Sequence, residues 1–430
     1  MTTNIMETDV LVIGGGAAGT IAAISAARRG LRVILIESQG CLGGSRTATG
    51  VDTFYGFYTP GEKKQRLVGG IPWEVVTRLR QDTACFERPN TYGAGTGITY
   101  DVEKLKVIYE DMAIQAGIRL LYHTYACEVE VKAGDIAAIT IANKSGLTQI
   151  KAKCYIDTSG DGDIAARSGA PFEKLDVDQL QSLTTIFFMG NVDVEKAKKT
   201  THAEMAHKMK ESNRSGGYVL PREDGSWHIT PHPGVIQTNM VRVPSVDATD
   251  PFALTLAEIE GRKQAQEYVR FLKNEVPGFE ESFLISTSQH IGVRETRRIL
   301  GEYILTEEDV IHAIKFDDGI ACCGAPVEDH TSGTETRWAY VQGDGFYHIP
   351  YRSLIPKQVS NLLVAGRCLS ATHGAHASAR NSAQCMAMGE AAGVAADCYI
   401  QDQKPFRELD FTQLKEALIA QHVILNILEE

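Results

Sequence analysis

The sequence lacks several features that would assign it to a special class of protein. Its 430 residues include only nine scattered cysteines, too few for a disulfide framework in a chain of this size, which favours a reducing compartment. It has no run near the ~18 apolar residues of a membrane span, and its first residues lack the cationic start and apolar stretch of a secretion signal. A cytoplasmic protein without a membrane span is therefore expected.

Basic residues are outnumbered by acidic ones. Lysine and arginine number 43 against 54 aspartates and glutamates, which gives a formal net charge of -11. Because nucleic-acid binding requires a concentrated positive field, no nucleic-acid partner is expected.

Cysteines and histidines with zinc-like spacing are also missing, so we expect no metal site. The adjacent Cys322 and Cys323 are interpreted as two small buried side chains.

The amino-terminal region contains an alternation typical of a βαβ unit. Asp9 to Ile13 is a continuous apolar run, as in a strand that is buried on both faces of a parallel sheet. Ala17 to Arg29 has small and apolar residues at helical spacing, and Gly30 closes this helix. Arg32 to Ile36 then predicts a second buried strand.

A glycine motif lies at the first strand-to-helix junction. Gly14, Gly16 and Gly19 form G-x-G-x-x-G, which lets the backbone of this turn, with Ala17 and Ala18, approach a pyrophosphate at the helix amino terminus. Glu37 closes the second strand, where an acid accepts a hydrogen bond from a ribose hydroxyl. Together these features predict a site for the ADP part of a dinucleotide.

The glycine motif alone does not separate NAD from FAD, since both contain ADP. A second glycine-rich turn spans Gly40 to Arg46, directly after the predicted ribose acid. Such a turn suits a long dinucleotide that extends past the sheet toward a flavin. The residues predicted to line this path are Ser38, Gly43, Gly44, Ser45 and Arg46.

The remaining pattern predicts an α/β fold, with a Rossmann-like domain of parallel sheet and antiparallel flap and an inserted α+β substrate domain. A helix is expected from Val102 to Ala116 with Asp101 as its N-cap, followed by three short strands of the flap between Ile118 and Ile156. A buried strand at 361–365 and an alanine-rich helix at 383–400 return the chain to the first domain. The predicted limits are 1–170 for the first part of the dinucleotide domain, 171–345 for the substrate domain and 346–430 for the return segment.

Several further segments resemble those of the FAD-dependent oxidoreductase family with the glutathione-reductase-type flavin fold. The resemblance is to the subfamily that includes relatives of heterodisulfide reductase flavoprotein subunits, and it runs nearly end to end. The segments are IESQGCLGG, VGGIPWEVVTRL, TSGDGDIAARSGA, GVRETRRILGEYILTEED, YHIPYRSLIP, NLLVAGRCLSATH and MAMGEAAGVAA. The resemblance implies bound FAD.

The resemblance also implies further cofactor-binding residues. Ser159-Gly160-Asp161 matches a second dinucleotide signature that faces the diphosphate and ribityl chain, and Gly366-Arg367 matches a position where many relatives have Gly-Asp. Arginine replaces that acid here, which leaves the ribityl contact open, although Arg367 suits a phosphate. The remaining implied residues are Ala126 in the flap, and Ala392 and Gly393 in the GEAAG helix, whose amino terminus is expected to face the flavin pyrimidine.

The candidate catalytic residues follow from the same resemblance. His373 and His376 in THGAH come just after the last flavin-domain strand, so either is a candidate base, with His373 preferred; a structural histidine or a flavin hydrogen-bond donor is the alternative. Arg294 in GVRETRR is a candidate for orienting an anionic substrate, and Tyr351 is a further candidate in the segment that leads back to the flavin domain. An ion-paired domain junction is the alternative explanation of the arginines.

The predicted function is an FAD-dependent dehydrogenase or oxidase that transfers a hydride from a small polar organic substrate to flavin N5. A second G-x-G-x-x-G unit and the C-x-x-x-x-C pair of disulfide reductases are missing from the sequence, so NADH is not expected as the direct reductant. The electron acceptor (oxygen, a quinone or a carrier protein) and homo-oligomerisation are left open. The alternatives are a non-redox flavoprotein isomerase or cyclase, and an electron-transfer flavoprotein subunit.

Overall fold

The computed structural model describes residues 4–61, 63–90, 95–331 and 336–427. Its helices are α1 (Ala17–Arg28), α2 (Gly70–Gln81), α3 (Val102–Gln115), α4 (Asp163–Arg167), α5 (Val194–Ala197), α6 (His202–Arg214), α7 (Pro251–Glu275), α8 (Glu307–Ile311), α9 (His373–Ala379), α10 (Ser382–Asp402) and α11 (Phe411–Ala420).

The described strands outnumber these helices and are spread along most of the chain. They are β1 (Asn4–Ile13), β2 (Val33–Ile36), β3 (Thr53–Phe54), β4 (Cys85–Pro89), β5 (Thr96–Tyr100), β6 (Arg119–Leu121), β7 (Tyr125–Lys132), β8 (Asp135–Asn143), β9 (Gly146–Asp157), β10 (Phe172–Glu173), β11 (Phe187–Gly190), β12 (Ser226–Ile229), β13 (Ile236–Asn239), β14 (Phe283–Thr287), β15 (Arg298–Ile299), β16 (Gly319–Cys323), β17 (Val327–Asp329), β18 (Arg337–Ala339), β19 (Tyr347–Pro350) and β20 (Leu362–Val364).

A mixed sheet of seven described strands organises the first core. Its order is β6-β2-β1-β9-β8-β7, and β20 pairs with the end of β9. β1 pairs in parallel with both β2 and β9, and β20 pairs in parallel with β9, whereas β7, β8 and β9 form an antiparallel flap. The predicted βαβ unit, parallel sheet and flap are therefore confirmed.

Local sequence signals explain where several elements begin and end. The Asp101 side chain accepts hydrogen bonds from the backbone N–H groups of Glu103 and Lys104, which caps α3 as predicted. α1 ends at Arg28, and Gly30 follows with φ 88°, a conformation that glycine adopts without the steric cost of a side chain.

A second core is formed by the middle of the chain. The sheet β12-β13-β11-β14 is antiparallel, and α7 and α6 contribute buried side chains to the same cluster, which draws on residues between Leu183 and Ile291. Residues from Leu305 to Ile349 belong instead to the first core, together with α1 and α10. The domain limits drawn from the sequence stay predictions.

A buried carboxyl group in the first core makes the stability of the fold depend on pH. Glu390 in α10 is 1% exposed, and its Oε2 accepts a hydrogen bond of 3.0 Å from the backbone N–H of Ile71 at the start of α2. Burial outweighs this hydrogen bond and raises the pKa of Glu390 from 4.5 to about 8. The protonated form is therefore the one that the folded state favours near neutral pH.

We expect Glu390→Gln to remove part of the pH dependence of folding. Because the pKa is raised in the folded state, wild-type stability falls as the pH rises from about 4.5 toward 8, at up to about 1.4 kcal/mol per pH unit from this group. Urea unfolding at pH 5 and pH 8 measures the effect. The unfolding free energy of the variant minus that of the wild type should be roughly 2–4 kcal/mol higher at pH 8 than at pH 5. An equal difference in unfolding free energy at both pH values would contradict the prediction.

Candidate active site

Parallel strands bring four turns together at one edge of the large sheet. β1, β2, β9 and β20 all end there, and backbone hydrogen bonds join each turn to its neighbour: the N–H of Gly14 donates to Ile36, that of Thr158 to Ile13 and that of Ala365 to Asp157. Ligands of doubly wound folds gather at this carboxyl edge.

A cleft of about 630 Å³ opens at this edge. It brings together most of the residues that the sequence predicted to bind the cofactor. Those that line it are Gly14, Gly16, Ala17, Ala18, Glu37, Ser38, Gly44, Ser45, Arg46, Ala126, Ser159, Gly160, Asp161, Gly366 and Arg367, and Arg294 lines it as well.

The three motif glycines have different reasons to be glycine. A Cβ on Gly14, whose φ is 96°, would lie 2.6 Å from the Thr158 carbonyl oxygen, and a Cβ on Gly19 would lie 1.8 Å from that of Gly14. Both are therefore required by the fold. A Cβ on Gly16, the N-cap of α1, would instead meet nothing within 4 Å and would occupy the cleft. This open space over a helix amino terminus fits a bound phosphate.

The Glu37 carboxylate stabilises the first turn and can still accept a hydrogen bond from a ligand. Its Oε2 accepts from the N–H of Gly15 at 2.6 Å, and its Oε1 accepts from Ser38 Oγ at 3.0 Å and the N–H of Gln39 at 2.8 Å. A carboxylate has about four acceptor positions, so Oε2 keeps one for a ribose hydroxyl, and Glu37 lines the cleft.

Arg367, which replaces the acid found in many relatives, pairs with the acid of the neighbouring turn. Its Nη1 lies 2.7 Å from Asp161 Oδ1, and a Cβ on Gly160 would lie 2.7 Å from the guanidinium. Thr296 Oγ1 also donates to Asp161 at 2.5 Å. The two predicted segments thus meet, with a carboxylate and a guanidinium both at the cleft.

The second core supplies the opposite wall of the cleft, from which the sequence predicted only Arg294. Residues of this wall and of the α10 amino terminus that line the cleft are Thr184, Ile186, Asn239, Leu254, Glu258, His290, Arg380, Asn381 and Ser382. His290 stands four positions before Arg294, and Arg380 directly precedes the N-cap of α10. The sequence signal that could have identified these residues is their closeness along the chain to segments that were already predicted to form the site.

His373 does not line the cleft. It begins α9, where Nδ1 lies 2.8 Å from Glu295 Oε2 and Nε2 lies 3.2 Å from Asp329 Oδ1. Burial would lower the pKa of His373, but the hydrogen bonds with Asp329 and Glu295 outweigh it and raise the pKa to about 9. The imidazole is therefore protonated at neutral pH, and this placement argues against its role as a base.

His376 and Tyr351 also lie away from the cleft lining. His376 is fully buried and its Nε2 donates to the Arg367 carbonyl oxygen at 2.7 Å; burial lowers its pKa to about 3, so it is neutral. The Tyr351 hydroxyl donates to the Phe406 carbonyl oxygen at 3.2 Å, and burial raises its pKa well above the usual range. Both positions fit structural roles rather than contact with a substrate.

Gly393 and its neighbour Gly389 are explained by helix packing. A Cβ on Gly389 would lie 2.1 Å from the Ala18 carbonyl oxygen, and one on Gly393 would lie 2.5 Å from that of Ala22, so both let α10 approach α1. Ala392 is buried with them, whereas the amino terminus of α10 does reach the cleft at Asn381 and Ser382. Gly19 and Gly43 also lie outside the cleft lining.

The described residues contain neither a helix suited to a membrane nor a cluster suited to a metal ion. Among 4–61, 63–90, 95–331 and 336–427, the helices fall short of the length and apolar character needed to cross a membrane. Within the same ranges, three or more histidine, cysteine, aspartate or glutamate side chains do not gather in a group that could hold a metal ion.

Comparison with known sequences identifies the family. The model of the family described as FAD dependent oxidoreductase matches residues 9–418. Dihydrolipoyl dehydrogenase of Trypanosoma brucei brucei is 35% identical over 102 residues, which are 23% of this chain and only 17% of the length of that protein.

Solved structures share the fold over most of both chains. A geranylgeranyl bacteriochlorophyll reductase-like protein of Thermoplasma acidophilum superimposes with a TM-score of 0.50 at 14% identity, covering 98% of this chain and 85% of the other. The p-nitrophenol 4-monooxygenase of Pseudomonas putida gives a TM-score of 0.50 at 9% identity, covering 97% and 85%. At these identities the likeness concerns the fold alone.

The family match confirms what the strand-edge cleft and its glycine turns predicted. Since it spans nearly the whole chain, the protein belongs to the FAD dependent oxidoreductase family and is an enzyme whose cofactor is FAD.

Proposed function

We propose that the enzyme oxidises a small polar organic molecule in the part of the cleft that lies between the α10 amino terminus and the second core. When bound, FAD supplies a two-electron acceptor for this reaction. The turns of Gly16, Glu37, Ser159 and Gly366 would hold its dinucleotide part. The observation that carries the proposal is the opposite wall, where titratable side chains from the second core enter the same cleft.

His290 is the side chain of that wall best suited to accept the substrate proton. Its Nδ1 lies 3.2 Å from the carbonyl oxygen of Ile291 and 3.3 Å from Thr49 Oγ1. A proton on Nδ1, donated to the carbonyl, makes Nε2 the acceptor nitrogen of the neutral ring. The residue lines the cleft and is half-buried, so a substrate can reach it.

Tyr55 lines the cleft as well and suits a different task. Burial raises the pKa of its hydroxyl, although the neighbouring Arg88 acts against this shift, and Arg88 Nη2 donates to the hydroxyl oxygen at 3.3 Å. A hydroxyl that keeps its proton at neutral pH donates a hydrogen bond rather than removing a proton. We therefore propose that Tyr55 helps to orient the substrate while His290 takes the proton.

Anaerobic mixing tests the proposed reaction. Purified FAD-loaded protein is mixed with alcohols, amines and hydroxy acids, and the loss of oxidised-flavin absorbance is recorded. We expect one compound class to bleach the flavin with one equivalent of oxidised product per FAD. Conversion of a compound without any loss of flavin absorbance would indicate a non-redox isomerase or cyclase instead. Oxygen, a quinone or a carrier protein is then compared as the oxidant that restores the absorbance.

A further inference from the structure

Two arginines reach the cleft without a carboxylate partner in the described part of the chain. Arg294 Nη1 donates to the carbonyl oxygen of Ser182, and Arg380 Nη2 donates to Gln181 Oε1 at 2.9 Å. The only other described hydrogen bond of either guanidinium runs from Arg380 Nη2 to the Glu328 carbonyl oxygen at 3.5 Å, and Arg380 Nε is buried without a partner.

The adjacent residues Gln181 and Ser182 fix both guanidinium groups. Both residues are buried, at 0% and 1% exposure, so their oxygens hold the two arginines in defined positions. These oxygens are neutral and therefore orient the guanidinium groups without balancing their charge. Such positioning suits a binding site, because a guanidinium group that is already held in place loses little conformational entropy when a ligand binds.

Glu328, whose charge acts on both arginines, does not form an ion pair with either of them. Its Oε1 lies 3.0 Å from His330 Nε2. Burial would raise the pKa of Glu328, but His330, Arg380 and Arg294 outweigh it and lower the pKa to about 2. At neutral pH the ionised Glu328 thus lies close to two guanidinium groups that are not ion-paired with a described carboxylate.

A half-buried positive charge without an ionic partner favours a ligand of opposite sign. Removing a guanidinium from water without an anion is costly, and the cost is offset when an anion with matching hydrogen-bond geometry enters. The planar guanidinium fork matches a carboxylate through two parallel hydrogen bonds. We propose that the substrate carries a carboxylate group, which Arg294 and Arg380 bind on the second-core side of the cleft. This inference rests on the proposed function and names its substrate class.

The position of the two arginines distinguishes this anion from the cofactor phosphates. The cofactor phosphates are expected over Gly16, at the amino terminus of α1 and directly after β1. Arg380 instead follows α9, and Arg294 lies after β14, beyond His290. Loss of either arginine should therefore weaken the binding of carboxylates and leave the FAD content unchanged.

Titration of the FAD-loaded protein with malonate tests the site, with neutral malonamide as the matched compound and constant ionic strength. We expect a saturable change of the flavin spectrum with malonate alone. Arg294→Gln and Arg380→Gln should each raise the malonate Kd by ~30-fold or more, as expected for truncation of a buried charge pair. Arg270→Gln, at an exposed arginine paired with Glu267, serves as the control and should bind malonate like the wild type. Arg294→Lys keeps the charge and should bind with intermediate affinity.

The outcomes separate this inference from the proposed function. The carboxylate site would be overturned if malonate bound the wild type and both glutamine variants with equal affinity, or if calorimetry showed no malonate binding. Flavin bleaching by a neutral substrate would in that case still support the oxidase or dehydrogenase reaction. A carboxylate compound that binds but never bleaches the flavin, in a panel where nothing else does, would overturn the proposed function. Loss of FAD from folded glutamine variants would assign the arginines to the cofactor and also reject the carboxylate site.

Discussion

Gly16→Val is expected to give a folded protein that no longer retains FAD. Gly16 has φ -66° and ψ -173°, which valine also adopts, and its added side chain meets no protein atom near the Cβ. The valine would instead fill the space that the pyrophosphate requires. The expected increase in the FAD Kd is roughly 100-fold, the equivalent of about 3 kcal/mol of overpacking. Fluorescence titration of the apoprotein with FAD measures it.

Two controls make this result specific. Gly217→Val places the same substitution on an exposed residue outside the cleft lining, and it should bind FAD like the wild type. Gly19→Ala should instead lower the thermal stability, because its Cβ would collide with the Gly14 carbonyl oxygen. A Gly16→Val protein with normal FAD affinity would show that the cofactor does not pass over the α1 amino terminus.

The second large effect is expected for His290→Ala. If His290 accepts the substrate proton, its loss should lower the rate of anaerobic flavin reduction by ~100-fold or more, since positioned acid-base groups contribute about that factor. The FAD content should not change. His290→Gln keeps a polar side chain of similar reach but cannot accept the proton in the same way, so it should be as slow as the alanine variant.

His373→Ala is the matched comparison. His373 joins Glu295 and Asp329 through ion pairs, so its removal should destabilise the region around α9 and leave the rate of flavin reduction within a few-fold of the wild type. The opposite pattern, with a fast His290→Ala enzyme and a slow but stable His373→Ala enzyme, would restore His373 as the base. Stopped-flow absorbance and thermal unfolding together distinguish the two patterns.

Much of the cofactor side could be predicted from the sequence because its signals are local. A glycine turn between an apolar run and a helix, followed by Glu37 at the end of the next strand, defines a βαβ unit by itself. The N-cap Asp101 and the antiparallel flap follow from similarly short patterns. Parallel pairing of β1, β2, β9 and β20 then brings four separate turns to one edge.

The catalytic side could not be predicted in the same way, because it depends on long-range packing. His373 is close in sequence to the last strand, yet the chain leaves the cleft after Arg367 and returns to it only at Arg380, after the end of α9. His290 reaches the cleft because the second core packs against the carboxyl edge, and no local pattern encodes that contact. Gly389 and Gly393 fit either a cofactor helix or close helix packing, and only the approach of α10 to α1 decides between them.

A crystal structure of the FAD-loaded enzyme would test the placement of the reaction most directly. We predict that the pyrophosphate lies over Gly16 at the amino terminus of α1, that a ribose hydroxyl bonds Glu37, and that the isoalloxazine ring lies between the α10 amino terminus and the wall formed by His290 and Arg294. An isoalloxazine ring that points away from the second core, with His290 and Arg294 far from both of its faces, would contradict the proposed active site.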